Sequence, residues 1–168
     1  MESHDDKSSV TSTVDDQKML AWFIRGDKWQ DVLDPDEPDI AHWRHCGLDC
    51  VVFRHTRSGH LCGYVGVPKG HYFYEVDYTD PKVTNIDVHG GLSFAGPSFV
   101  HKWVDDSPLL DDVWLLGFDC NHAWDCPPGG KGGYECWYRD YDYRDIKYVV
   151  EQANFLADQL IRLIKEAE

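Results

Sequence analysis

The sequence predicts an α+β domain, a largely antiparallel sheet covered by one long C-terminal amphipathic helix. Three observations carry that reading. From Asp142 onward, Ile146, Val149, Val150, Ala153, Leu156, Ala157, Leu160, Ile161 and Ile164 recur at steps of three and four, the stripe of a helix with one buried face. Two apolar runs, "LDCVVFRH" and "HLCGYVGVP", flank Thr56, Arg57, Ser58 and Gly59, the pattern of a hairpin with a short turn. "DDVWLLGFD" is nearly unbroken in its apolar character, as a central strand covered on both faces would be.

The elements follow in order. Residues 1–18 are Ser, Thr, Asp and Lys with almost nothing to bury and read as a disordered tail, leaving 19–168 as a single domain. With 168 residues, 42% of them hydrophobic, the chain can bury one core and is too short to promise two. "MLAWFIRG" supplies the first apolar segment, and "DVLDPDEPDIAHW", acidic and broken by Pro35 and Pro38, predicts a surface loop ending near His42. After the hairpin, "HYFYEVDY" alternates enough for a third strand. "KVTNIDVHGGLSFAG" reads as another, with Ile86 and Val88 on one face and Asn85, Asp87 and His89 on the other, because side chains alternate along a strand. Asp142 or Asp145 can cap the final helix, whose roughly twenty residues give it a length of about 30 Å.

Sixteen basic against thirty acidic residues give a formal charge of -14, which repels phosphate backbones and argues against nucleic acid as a partner. A DNA mimic would share the acidity, but it would spread carboxylates over a surface rather than carry seven Trp, nine Tyr and nine His. The first residues show no basic region followed by an apolar one, and no later run is long enough to cross a bilayer. The expectation is a cytoplasmic protein with no membrane partner. In that setting the six cysteines, Cys46, Cys50, Cys62, Cys120, Cys126 and Cys136, read as reduced thiols, and none forms a C-x-x-C pair.

The densest chemistry lies in "GFDCNHAWDCPP". If the chain turns helically after the strand, Asp119, His122 and Asp125 stand at i, i+3 and i+6, so neighbouring pairs share a side. Two carboxylates and an imidazole suit a divalent metal, zinc or manganese, with a position left open for water. The plainer alternative is a capped turn with a surface histidine. "NIDVHGGLSFAG" adds Asp87 and His89 on one strand face, one to bind and one to orient, with Gly90 and Gly91 permitting a tight bend. A bulge beside a satisfied core histidine is the alternative there. In "HWRHCGLDC", His42, His45, Cys46 and Cys50 offer four possible zinc ligands, although their spacing matches no common zinc module and buried thiols are ordinary near strands. Cys62, Tyr64, Lys69 and His71 follow, with nothing to order them into a triad. "GGKGGYECWYRDYDYRD" is no P-loop; Lys131 with Tyr134, Trp137 and Tyr138 reads as a surface loop followed by packed aromatics, or as a flap over the pocket.

In "DVHGGLSFAG", "DDVWLLGFDCNHAWD" and "YRDIKYVVEQANFLADQL", which span roughly the last half, the chain resembles a family of small, uncharacterised proteins of bacteriophages and prophages. The resemblance implies a phage context, hence the host cytoplasm, and no mechanism. It singles out Asp87, His89, Asp119, His122 and Asp125. The sequence therefore leads to a small metal-dependent hydrolase acting on a small polar molecule such as a nucleotide or nucleotide-derived signal. In it His89, Asp119, His122 and Asp125 hold the metal, and Asp87 orients His89 or acts as a base on the metal's water. The alternative is a non-enzymatic phage protein that sequesters a small ligand or inhibits a host defence protein through its acidic, aromatic surface.

Overall fold

The computed structural model describes residues 19–103, 110–129 and 142–167, so the expected tail and the glycine-rich segment with Lys131, Tyr134, Cys136, Trp137 and Tyr138 lie outside the described residues. The fold is α+β. Six strands, β1 (Leu20–Trp22), β2 (Ile40–His45), β3 (Leu48–Arg54), β4 (Leu61–Pro68), β5 (Phe94–Pro97) and β6 (Val113–Asp119), form one antiparallel sheet in the order β1-β2-β3-β4-β6-β5. The expected hairpin is β3–β4, closed at the Arg54↔Leu61 pair. β6 sits between β4 and β5 as an interior strand, as its apolar run requires.

Both faces of the sheet are covered. On one, Ala41, Cys50, Val52, Leu61, Val65, Leu116 and Phe118 meet the long helix α1 (Ile146–Ala167) through Val149, Ala153, Leu156, Ala157 and Leu160. On the other, Ile40, Val51, Phe53, Tyr64 and Leu115 meet Val100 and Leu110, with Phe94 and Phe99 packed alongside. The helix begins at Ile146, later than Asp142, because Asp145 is the cap: its Oδ1 accepts the Tyr148 N–H at 2.9 Å.

Of the two strands expected after the hairpin, the first is absent and the second forms only at its end, as β5. Segment 71–78 lies in a train of turns running to residue 86, in which the N–H groups of His71, Tyr74, Val76, Asp80, Val83 and Ile86 each donate to the carbonyl three residues back. Phe73 and Val76, and then Val83 and Ile86, are buried in pairs three residues apart, the step of a turn and not the alternation of a strand. The "NIDVHGG" segment also pairs with no strand, because side chains of the helix engage its backbone: Asp87 N–H donates to Gln159 Oε1 and Gln159 Nε2 to Asp87 O, both at 2.8 Å, and His89 N–H donates to Gln152 Oε1 at 2.8 Å. A sheet ladder is not needed to satisfy it.

The acidic loop is exposed at Asp31, Val32, Asp34, Pro35 and Asp36, as expected of a surface loop, but its end is buried. β2 starts at Ile40, and Glu37 and Asp39 are buried against Arg54, whose side chain is only 2% exposed. Arg54 Nε donates to Asp39 Oδ1 at 2.6 Å, Nη2 to Glu37 Oε1 at 2.8 Å, and Nη1 to Gly59 O and Tyr143 Oη, each at 2.8 Å. The second oxygen of Glu37 accepts the Ile146 N–H at 2.8 Å, a carboxylate at the positive end of the helix. The loop therefore docks the start of α1. Burial works to raise the Asp39 carboxyl, but the bonds from Arg54, Arg25 and two backbone N–H groups outweigh it and hold the group below the usual carboxylate range.

The reading of all cysteines as reduced thiols is corrected at Cys126, which is disulfide-bonded. Cys62 and Cys120 are buried thiols, and burial pushes Cys62 up to about 12, so neither supplies a ready thiolate.

Candidate metal centre

Asp119 closes β6, and the chain then enters a turn in which the Asp125 N–H donates to His122 O at 3.0 Å. Residues three apart share a side of such a turn. His122 Nδ1 accordingly lies 3.2 Å from Asp125 Oδ2, and the His122 backbone N–H donates to that same oxygen at 2.9 Å. The far side of Asp125 is fixed by a parallel bridge to Asp142, where Cys126 N–H donates to Asp142 O at 2.9 Å. The third group arrives from the segment clamped by the helix glutamines: His89 Nε2 stands 2.9 Å from Asp125 Oδ2. The ligand atoms of His89, His122 and Asp125 all lie within 4.8 Å of one another.

Further groups orient the three. His89 Nδ1 pairs with Tyr148 Oη at 2.8 Å, and Arg144 Nε donates to Asp125 Oδ1 at 3.0 Å. The Asp125 side chain is fully buried, that of His89 is 7% exposed and that of His122 29%, so the cluster is a buried acid facing a ring that meets solvent. Burial works to raise the Asp125 carboxyl, but hydrogen bonds from His89, the His122 backbone and Arg144 prevail and hold it below its ordinary range. Gly90 explains its own presence. At φ +70° it has the left-handed backbone that glycine tolerates, and a Cβ there would lie 2.1 Å from His122 Cε1.

The remaining sequence candidates separate. Asp119 stands at the margin, its Oδ1 4.0 Å from His122 Nδ1, while Ser93 Oγ donates to its Oδ2 at 2.9 Å and Asn121 N–H to its Oδ1 at 3.1 Å. It borders a cavity of about 310 Å3 whose wall includes His60, Cys62, Tyr64, Ser93, Phe94 and Asn121. Burial and the neighbouring His55 push His60 down to about 4, so it is neutral near pH 7. Asp87 is exposed and apart from the cluster, the bonds described for it being those of its backbone to Gln159.

"HWRHCGLDC" is split by strand alternation. His42 pairs with Asp49 at 3.0 Å on one face, Cys50 is buried in the core on the other, and only His45 and Cys46 come together, beside Asp158 of α1. Of the last set, Cys62 and Tyr64 line the cavity, while His71 Nδ1 accepts the Phe73 N–H at 3.2 Å within its own turn and Lys69 is exposed.

Three groups escaped the sequence reading: Arg144, Tyr148 and Gln152. The last two are four apart on one side of the helix, and a polar pair beside an apolar stripe is the signal that would have found them. Comparison of the chain with protein-family models, curated proteins and solved structures finds no match to any of the three.

Proposed function

We propose that this protein is a small metal-dependent hydrolase of a phage or prophage, acting on a small polar molecule such as a nucleotide or nucleotide-derived signal, with a divalent ion held by His89, His122 and Asp125. One observation carries the reading: two imidazole nitrogens converge on a single buried carboxylate oxygen at 2.9 and 3.2 Å. Donors at about 2.0–2.1 Å around tetrahedral zinc stand about 3.3 Å apart, so the two histidine-to-carboxylate edges need shifts of only a few tenths of an ångström. The surroundings suit that role. Tyr148 at His89 Nδ1 leaves Nε2 as the coordinating atom, and Arg144 occupies the other oxygen of Asp125, the outer-shell pattern of metal-binding histidines and carboxylates.

An ion in this position supplies Lewis-acid activation of water near neutral pH. Asp119, partly exposed and 4.0 Å from His122, is the proton acceptor of this reading, and the adjoining cavity of about 310 Å3 is at the small end of ligand pockets. Tyr148 takes over the orienting part expected of Asp87. The host cytoplasm follows from the phage resemblance; the Cys126 disulfide is the observation against it. Among the described residues no helix is long and apolar enough to cross a membrane.

A second reading, a non-enzymatic binder, is favoured by the closure of the same network: both His89 nitrogens and both Asp125 oxygens have partners without an ion. Metal content decides between them. Protein purified without a histidine tag should retain zinc or manganese, His122→Ala should hold one equivalent less than wild type, and a chelator should lower the wild-type melting temperature. Equal metal content in both proteins, with indifference to the chelator, would favour the binder.

A further inference from the structure

The turn joining β2 and β3 has two residues, Cys46 at φ +54° and Gly47 at φ +78°, a backbone in which both central positions are left-handed. Such turns select Gly, which has no β-carbon, or Asn and Asp, whose short polar side chains offset the cost of the left-handed backbone by local hydrogen bonding. A cysteine is an unusual occupant. Its Sγ lies 3.3 Å from Asp158 Oδ1, and His45 Nε2 lies 2.8 Å from the same oxygen. Asp158 comes from the helix, 113 residues beyond His45.

We propose that His45, Cys46 and Asp158 form a second metal site, for zinc or another thiophilic divalent ion, which fastens the β2–β3 turn to α1. It shares no residue with the His89, His122 and Asp125 cluster and does not depend on the function proposed for it. The donor set is one nitrogen, one sulfur and one oxygen, all within 4.8 Å of each other, and its chemistry differs from the first cluster in containing a thiolate ligand. Around tetrahedral zinc, with bonds of about 2.0 Å to N and O and about 2.3 Å to S, the N to O and S to O edges are about 3.3 and 3.5 Å. The observed 2.8 and 3.3 Å need only a slight opening. Asp158 and a thiolate bring two negative charges, which a divalent ion balances, and thiolate selects zinc over magnesium or calcium.

The position is organised in advance. Trp43, on the same strand face as His45, donates its Nε1–H to Asn154 Oδ1 at 2.8 Å, and Asn154 is one helical turn before Asp158. This fixes how the helix lies against β2. An ion pair between His45 and Asp158 accounts for one contact, but it does not account for a sulfur brought to the same oxygen from a disfavoured backbone. All three side chains reach solvent, so an ion can enter: His45 is 25% and Asp158 53% exposed, and Cys46 is exposed.

Cobalt titration of the full, metal-stripped chain under a phosphine reductant tests this, because only a thiolate ligand yields a sulfur-to-cobalt charge-transfer band. Wild type should develop the band with one equivalent, and zinc should displace it. Cys46→Ser and Cys46→Asn should lack it; Asn suits the left-handed position, so that variant folds. Asp158→Asn should weaken cobalt binding by about tenfold or more, and His122→Ala should keep the band. Absence of the band in wild type, its survival in both Cys46 variants, its loss in His122→Ala or an unchanged affinity in Asp158→Asn would each overturn the proposal.

Discussion

Asp125→Ala is the substitution whose cost the geometry specifies most closely. The carboxylate is fully buried and accepts from His89 Nε2, His122 Nδ1, the His122 backbone N–H and Arg144 Nε. Its loss strands groups that differ in their access to water. Arg144 is 21% exposed and can turn to solvent, whereas His89, at 7%, cannot. Breaking a buried charged pair by deleting one partner costs about 3–5 kcal/mol, and the escape of Arg144 places this variant near the lower figure, about 3 kcal/mol. Against a domain stability of about 5–15 kcal/mol that is a large fraction. His122→Ala is the matched control: it leaves Asp125 its bonds to His89, Arg144 and the residue-122 N–H, and should cost under about 1 kcal/mol.

The assay is urea unfolding of the metal-free proteins from pH 7 down to pH 3. Because the folded-state pKa of Asp125 is lowered, its contribution is present above the unfolded value of about 3.9 and is lost as pH falls through the folded one. The gap between wild type and Asp125→Ala should therefore be widest near neutrality and narrow in acid, while His122→Ala tracks wild type. A neutral-pH loss below about 1 kcal/mol, or a gap that does not shrink on acidification, would refute the view of Asp125 as the charged centre of the cluster.

Two further outcomes follow from the same coordinates. Gly90→Ala puts a methyl group 2.1 Å from the His122 ring on a left-handed backbone, so it should cost about 1–2 kcal/mol and weaken metal binding together, read by denaturation and by metal titration. Asp39→Asn exchanges one of the two charged partners of Arg54 for a neutral one and turns an acceptor toward donors it cannot fully match; thermal unfolding should register a loss of about 3 kcal/mol or more, and a loss under about 1 kcal/mol would mean that Glu37 suffices as the charged partner of the buried arginine.

What the sequence disclosed was what depends on neighbours in the chain. The helix stripe, the β3–β4 hairpin and the interior strand β6 are periodicities, and each survived. The step of three from His122 to Asp125 is a property of one turn, so it could be read before the fold was known. What failed depended on distant partners. Pro35, Pro38 and the surrounding carboxylates resemble a solvated loop until Arg54 is placed beneath them, and a buried acid is indistinguishable from an exposed one without its cation. "NIDVHGG" was mistaken for a strand because its burial does alternate, Ile86 and Val88 being buried, while its backbone bonds go to glutamines more than sixty residues away. The thiol reading of Cys126 failed for the same reason, since pairing is decided by proximity in space.

A local turn can bring two of its own side chains together, but a third must be delivered by something rigid, and here that is the helix. Glu37 bonds the N–H of Ile146 and fixes where α1 begins; Tyr148 and Gln152 then hold the ring and backbone of His89, and Gln159 holds the backbone of Asp87 two residues earlier. The apolar stripe between these polar contacts is fully buried at Val149, Ala153, Leu156 and Leu160. The position of His89 relative to Asp125 is thus set by core packing, which resists displacement far more strongly than a loop does. It follows that the cluster has no adjustable member except His122, the one ring with appreciable exposure, seated where Gly90 has no side chain. An ion entering this site would move that ring and leave His89 where the helix holds it and Asp125 where Arg144 and the bridge to Asp142 hold it.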